Sequence, residues 1–164
     1  MRILLLTCAV LTLVSSARAQ PLREDPFEGI KSLAGEWRAD LPGYGTISNS
    51  IRLVSHATAV EETIGTAADN EVSIYTRDGA RILLTHFCAL TPEGHQVRLV
   101  THQSGTVREG LIFDLASAIN LHDRGAPHIR RMVMAIADHD HFFERWTQIK
   151  AGKEVVFDLH FVRR

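Results

Sequence analysis

The chain has 164 residues, of which 45% are hydrophobic and 23% are charged, and its formal net charge is −1. This composition excludes an intrinsically disordered chain, which has fewer apolar residues and a larger net charge. A nearly neutral chain also argues against a nucleic-acid-binding surface, which needs clustered lysine and arginine. The length predicts one domain.

The N-terminus has the features of a secretory signal peptide. Arg2 supplies a positive charge, an apolar run follows it, and Ala17 and Ala19 are the small residues of a cleavage site. The apolar run has about a dozen residues, whereas a helix that spans a bilayer needs roughly 20. We therefore expect residues 1–19 to be removed after export to the periplasm or the medium, which leaves a single domain over 20–164 with no membrane span.

Cysteine content limits how the exported domain can be stabilised. Removal of the signal peptide takes away Cys8 and leaves Cys88 alone. An intramolecular disulfide is then excluded, although the compartment would allow one. A chain of this size buries enough apolar surface for a core without such a crosslink.

One short helix is predicted at the start of the domain. Asp25 can act as the N-cap, and Pro26 fits the first helical position. Phe27 and Ile30 fall on one face of this helix, and Gly35 ends it. The pattern therefore predicts a helix of about two turns with one apolar face.

From Trp37 onward the apolar residues recur with period two, which is typical of strands. The sharpest turn signal is Asp78-Gly79, because the centre of a two-residue hairpin needs positive φ. Many short strands joined by turns predict an all-β, antiparallel up-and-down barrel of about 8–10 strands, since closure removes the sheet edges. The predicted strands cover residues 36–41, 46–55, 58–66, 71–77, 80–90, 95–102, 107–115, 130–138, 141–149 and 154–163.

The segment Gly35-Glu36-Trp37 resembles the Gly-x-Trp signature that opens lipocalin-like, or calycin-type, barrels. In that fold the tryptophan closes the floor of the barrel, and a basic residue of the last strand covers its ring. The resemblance therefore implies structural roles for Trp37 and, in the last strand, for Arg163.

Three further segments are similar to a family of secreted bacterial domains of unknown function with a lipocalin-like fold. They are 55–64, 82–90 with its Thr-His-x-Cys-Ala-Leu motif, and 137–146 with its Asp-x-Asp-His motif. This sequence has Arg130 where the family often carries a histidine, which argues against an inherited metal site. The resemblance implies the fold and export, and it implies no established activity.

His86 and Cys88 are two residues apart on a predicted strand and therefore share one face. Imidazole and thiolate together can bind zinc or another borderline metal, but a zinc site needs three or four ligands. His141 or His128 could complete such a site if the fold brings them close. The alternative is a buried histidine beside a small buried thiol.

Glu62 lies in an otherwise apolar strand, where an ionised carboxylate is costly to bury unless it is paired. Its candidate partners are Arg145, His86 and the amine or hydroxyl of a ligand. Trp146 shares a strand face with Glu144, and that face either lines a cavity or packs under the helix. A structural salt bridge is the alternative interpretation of Glu62.

The segment Asp138-His139-Asp140-His141 is rich in metal-ligating side chains. Aspartates are also common in tight turns, because their side chains hydrogen bond to nearby backbone. The segment lacks the glycine and the final glutamate of an EF-hand loop, which favours a turn between two strands.

Taken together, these features predict an exported barrel that binds a small, mostly apolar molecule in its interior. The candidate ligand-binding residues are Glu62, His86, Cys88, Arg145 and Trp146. No catalytic motif and no cofactor-binding motif is present, so neither an enzyme nor a resident cofactor is expected. Two alternatives stay open: a metal- or haem-dependent enzyme or redox protein that uses His86 and Cys88, and an interaction or structural module with a filled barrel.

Overall fold

A computed structural model provides the fold of the chain. It describes residues 25–66, 69–88, 90, 94–101, 106–121, 123 and 125–164. The signal peptide predicted over 1–19 lies outside these residues. Within the described part of the chain, no helix is long and apolar enough to cross a membrane.

The protein is a closed barrel of ten antiparallel strands with one short helix. Each strand pairs with the next along the chain, and the last strand closes on the first. The predicted all-β, up-and-down barrel with one N-terminal helix is thus confirmed. The elements are α1 Pro26–Ser32, β1 Gly35–Leu41, β2 Gly45–Val54, β3 Ala59–Gly65, β4 Asn70–Asp78, β5 Arg81–Cys88, β6 His95–Thr101, β7 Leu111–Ile119, β8 His128–Ile136, β9 His141–Lys150 and β10 Lys153–Arg163.

β7 begins and ends four residues later than predicted, at Leu111–Ile119. The residues before it form a turn, in which Thr106 accepts backbone hydrogen bonds from Glu109 and Gly110. The register of β7 against β6 also shifts between Arg98 and Leu99, where an irregularity interrupts the alternation of side chains. These local bonds override the period-two pattern.

Trp37 closes one end of the barrel, where α1 packs. Its indole is fully buried, and its Nε1 donates a hydrogen bond of 2.8 Å to the carbonyl oxygen of Leu33. The guanidinium of Arg163 lies 4.0 Å from the centre of the indole and donates to the carbonyl oxygen of Ala34 at 3.1 Å. This is the arrangement that the resemblance to lipocalin-like barrels implied. We refer to this end of the barrel as the closed end.

The opposite end of the barrel is the far end. Because consecutive strands run in opposite directions, β4 starts at the far end and β5 finishes there. Glu71, near the start of β4, and Cys88, at the end of β5, therefore belong to the far end. Glu62 and Tyr75 lie midway along their strands, between the two ends.

Candidate functional site

Burial shows which face of β5 points into the barrel. Leu84, His86 and Cys88 are buried, whereas Phe87 is 44% exposed. His86 and Cys88 therefore point into the barrel, and Phe87 lies on the outward face of β5.

A buried carboxylate occupies the middle of the barrel. Glu62 is completely buried and accepts a hydrogen bond of 2.5 Å from the Asn49 side-chain amide and one of 2.6 Å from the Tyr75 hydroxyl. Burial, and then the negative charges of Glu62 and Glu144, raise the pKa of the Tyr75 phenol well above its ordinary value. Tyr75 therefore stays a hydrogen-bond donor at any physiological pH.

A second buried carboxyl group, that of Glu144, faces Glu62 across the interior. Burial and the negative charge of Glu62 raise the pKa of Glu144 well above its usual range, and the Trp146 Nε1, which donates to it at 2.8 Å, opposes this only in part. Protonated Glu144 can then donate a hydrogen bond to Glu62. We call Glu62 and Glu144, with their partners Asn49, Tyr75 and Trp146, the carboxyl centre.

Three buried polar atoms have no hydrogen-bond partner in the described part of the chain. They are Asn49 Oδ1, Glu144 Oε1 and His86 Nε2. Most buried polar atoms in folded proteins are paired, so each unpaired atom calls for an explanation. The buried residues of the described part include two glutamates and no lysine or arginine, so neither of these cations balances the carboxyl centre.

A second polar group lies between the carboxyl centre and the far end. One ring nitrogen of His86, Nδ1, is 3.0 Å from the Ser73 hydroxyl, and the other, Nε2, is 3.2 Å from a carboxylate oxygen of Glu71. Trp146 packs on the imidazole, with the ring centres 4.7 Å apart. The candidate ligand atoms of Glu71, His86 and Cys88 all lie within 4.8 Å of one another. We call these three residues the Glu-His-Cys cluster.

The Cys88 side chain is a buried thiol. Burial, and then the negative charge of Glu71, raise the pKa of this thiol to about 12. The thiolate is the form that attacks electrophiles, so this environment disfavours the use of Cys88 as a nucleophile.

The structure corrects one predicted position. Arg145 does not enter the interior, because it lies on the outward face of β9 and forms two hydrogen bonds of 2.7 Å with the carboxylate of Asp158. Arg145, one of the candidate partners of Glu62, therefore does not pair with it, and Glu62 pairs with Asn49 and Tyr75 instead. Among the predicted ligand-binding residues, Glu62, His86, Cys88 and Trp146 do face the interior.

The Asp138–His141 segment forms the turn between β8 and β9. Asp140 donates its backbone N–H to the side chain of Asp138 at 2.8 Å, and the His141 ring lies 2.8 Å from the same carboxylate. His141 is exposed and does not belong to the Glu-His-Cys cluster. The turn interpretation is thus confirmed, and His141 does not serve as a third ligand beside His86 and Cys88.

Sequence reasoning missed Asn49, Glu71 and Tyr75 as functional candidates. Asn49 lies between Ile47 and Ile51 on the buried face of β2, so alternation alone indicated a buried amide. Glu71 gave no such signal, because its place beside Cys88 depends on the register of the β4–β5 hairpin.

A groove of about 490 Å³ lies beside α1 at the closed end, lined in part by Asp25, Leu33 and Val107. It contains none of the residues of the carboxyl centre or of the Glu-His-Cys cluster. The buried, unpaired polar atoms lie inside the barrel and not in this groove.

Comparison with known proteins adds no function to this geometry. No model of a known protein family matches the chain, and no curated protein shows significant similarity to its sequence. The likeness to secreted bacterial domains therefore stays a resemblance.

Proposed function

We propose that the barrel binds a small, mostly apolar molecule whose head group is a cation or a strong hydrogen-bond donor. The head group contacts the carboxyl centre, and the apolar body packs among the other interior side chains. The observation that carries this proposal is the pair of buried carboxyl groups, Glu62 and Glu144, which have no buried lysine or arginine beside them among the described residues. The nearby Asn49 Oδ1 is a buried acceptor with no donor in the same part of the chain.

The charge of the interior supports a cationic head group. Two carboxyl groups face each other there, and the described buried residues contribute no lysine or arginine. An ammonium group between Glu62 and Glu144 takes the place of the proton that Glu144 otherwise holds. Charge-assisted hydrogen bonds of this kind are shorter and stronger than neutral ones.

The residues around the carboxyl centre support an apolar body for the ligand. Leu84, Leu99, Phe113, Met132 and Met134 are all buried within the core that surrounds the carboxyl centre. Binding sites for small molecules are mostly lined in this way, with a few polar groups that orient the ligand. Methionine side chains adapt to irregular shapes, which suits an interior that must admit a ligand.

Three probes of one chain length separate the head-group preference from apolar burial. Decylamine, decanol and decanoate are titrated into the purified protein, and binding is followed by tryptophan fluorescence and by the shift in Tm. We expect decylamine to bind most tightly and decanoate most weakly. Because one proton leaves Glu144 when the amine binds, the amine affinity should rise as the pH rises toward the pKa of Glu144.

Two glutamate variants test which carboxyl group contacts the head group of the ligand. Glu144→Gln has no proton for the amine to displace, so it should abolish the rise of the amine affinity with pH. The matched control is Glu61→Gln, because Glu61 lies one residue from Glu62 but pairs with Arg52 on the outer face, and this control should leave the order of the probes unchanged. Equal binding of the three probes, or the tightest binding of decanoate, contradicts the proposal. Binding of none of them favours the filled barrel instead.

A further inference from the structure

We propose that Glu71, His86 and Cys88 form a binding site for one Zn²⁺ ion near the far end of the barrel. This site is separate from the carboxyl centre and does not depend on the proposed ligand. The sequence alone offered only two of its three ligands on one strand, and the third comes from the neighbouring strand.

The register of one hairpin brings the three side chains together. Ser73 pairs directly with His86 and Val72 with Phe87, so Glu71 lies opposite Cys88 when the same register is continued. Residues two apart on a strand share a face, and both pairs point into the barrel. The three ligand atoms then lie within 4.8 Å of one another.

The distance between the His86 and Glu71 ligand atoms fits a tetrahedral ion. Zn²⁺ lies about 2.0–2.1 Å from nitrogen and oxygen ligands, which places two such ligands about 3.3 Å apart. The Nε2 of His86 and the carboxylate oxygen of Glu71 are 3.2 Å apart. His86 Nε2 is nevertheless unpaired as a hydrogen-bonding atom, so the two atoms converge without the alignment of a hydrogen bond.

The imidazole of His86 is already fixed in the orientation that a metal ligand needs. Its Nδ1 lies 3.0 Å from the Ser73 hydroxyl, and Trp146 packs against its ring. When Nδ1 donates its proton to Ser73, Nε2 keeps a lone pair directed at the cluster. Metal-bound histidines usually have such a partner on the second nitrogen, which fixes the tautomer and the ring orientation.

Charge balance lowers the energetic cost of burying a divalent ion at this position. Binding exchanges the thiol proton of Cys88 for a Zn–S bond, and the proton passes to solvent. One thiolate and one carboxylate then neutralise Zn²⁺, so the loaded site carries no net charge. The Glu71 side chain is 33% exposed, which gives the ion a route from solvent.

The mixed ligand set indicates which ion fits. Thiolate, imidazole and carboxylate together suit Zn²⁺, whereas Mg²⁺ and Ca²⁺ prefer oxygen ligands alone. The described residues supply three ligands, and sites with three protein ligands keep a fourth position for water or another molecule.

Cobalt and zinc titrations test the site. The purified protein is freed of metal with a chelator and titrated with Zn²⁺ by calorimetry, and with Co²⁺ by absorption spectroscopy. We expect one equivalent of each ion and, with Co²⁺, a thiolate-to-metal charge-transfer band. The unmutated protein gives this band only if Cys88 or another thiol binds the ion, so the test does not depend on a variant that folds.

Variants then assign the ligands. Cys88→Ser should remove the charge-transfer band, and Glu71→Gln and His86→Gln should each weaken Zn²⁺ binding at least ~10-fold, because loss of an outer-shell partner alone costs 10–100-fold. The matched control is His141→Gln, an exposed histidine outside the cluster, which should bind Zn²⁺ as the unmutated protein does. A missing thiolate band, or weaker binding in His141→Gln than in His86→Gln, overturns the site.

Discussion

Replacement of Glu144 by glutamine should make the protein more stable at neutral and alkaline pH. Glu144 is completely buried, and burial together with the charge of Glu62 raises its pKa well above 4.5. A glutamine has nearly the same shape. Its amide oxygen can still accept from Trp146, and its NH₂ group can donate to Glu62 as protonated Glu144 does, so the intrinsic loss should stay below about 1 kcal/mol.

The pH dependence gives the sign and the size of the effect. Below pH 4.5 the carboxyl group is protonated in both the folded and the unfolded chain, and it does not change the free energy of unfolding. Above that pH the unfolded chain loses the proton while the folded chain keeps it, so the folded state loses stability as the pH rises toward the folded pKa. The loss is about 1.4 kcal/mol per pH unit, or about 2.7 kcal/mol over two units within this window.

Urea denaturation at several values between pH 5 and pH 8 measures this difference. The free energy of unfolding of Glu144→Gln minus that of the unmutated protein should rise with pH. Glu61→Gln, whose carboxylate pairs with Arg52 outside the barrel, should change stability by less than about 1 kcal/mol. A difference between Glu144→Gln and the unmutated protein that does not vary with pH would contradict a raised pKa for Glu144 in the folded state.

Three further predictions concern the ends of the barrel. Arg163→Ala removes a cation over the indole and a donor to the Ala34 carbonyl, so urea denaturation should show a loss of about 1–3 kcal/mol, and a loss no larger than that of the neighbouring Arg164→Ala would contradict it. Asp25→Ala removes the N-cap of α1 and should lower the free energy of unfolding by about 1 kcal/mol, whereas Asp25→Asn keeps the cap and should lower it less. Equal losses of stability in the two variants would mean that the ion pair with Arg77, and not the cap, stabilises α1. Cys88, with a pKa of about 12, should react with iodoacetamide at pH 8 far more slowly in the folded than in the urea-unfolded protein. Peptide mapping measures the two rates, and equal rates would contradict the burial of Cys88.

The barrel itself was predictable because its main signal is local. A period of two is visible in each strand, and short turns leave few ways to connect ten strands other than to neighbours. The predicted strand boundaries were wrong where side chains hydrogen bond to nearby backbone. At Thr106 such a turn delays the start of β7, and an irregular register against β6 hides its end.

The candidate site was harder to predict because it depends on register. We placed Asp78-Gly79 at the centre of the β4–β5 turn, but Asp78 pairs with Arg81, so the central residues are Gly79 and Ala80. Positive φ is needed only at Gly79, which has φ 61°, as in turns with glycine first. A shift of one residue in the turn moves each partner by two, and this places Glu71 opposite Cys88 instead of His86.

The misplacement of Arg145 has a different cause. Glu144 and Trp146 share one face of β9, so period two already directs Arg145 to the other face. Charge complementarity to Glu62 suggested an inward position, and the pleat of the strand outweighs it. The carboxylate instead takes its donors from an amide and a phenol, Asn49 and Tyr75.

A crystal structure of the protein with bound decylamine tests most directly whether the interior of the barrel is a binding site. We expect the ammonium nitrogen to lie within hydrogen-bond distance of Glu144 Oε1, with the alkyl chain among the interior apolar side chains. Decylamine found only in the groove beside α1, with the Glu62 and Glu144 side chains unchanged, would contradict it.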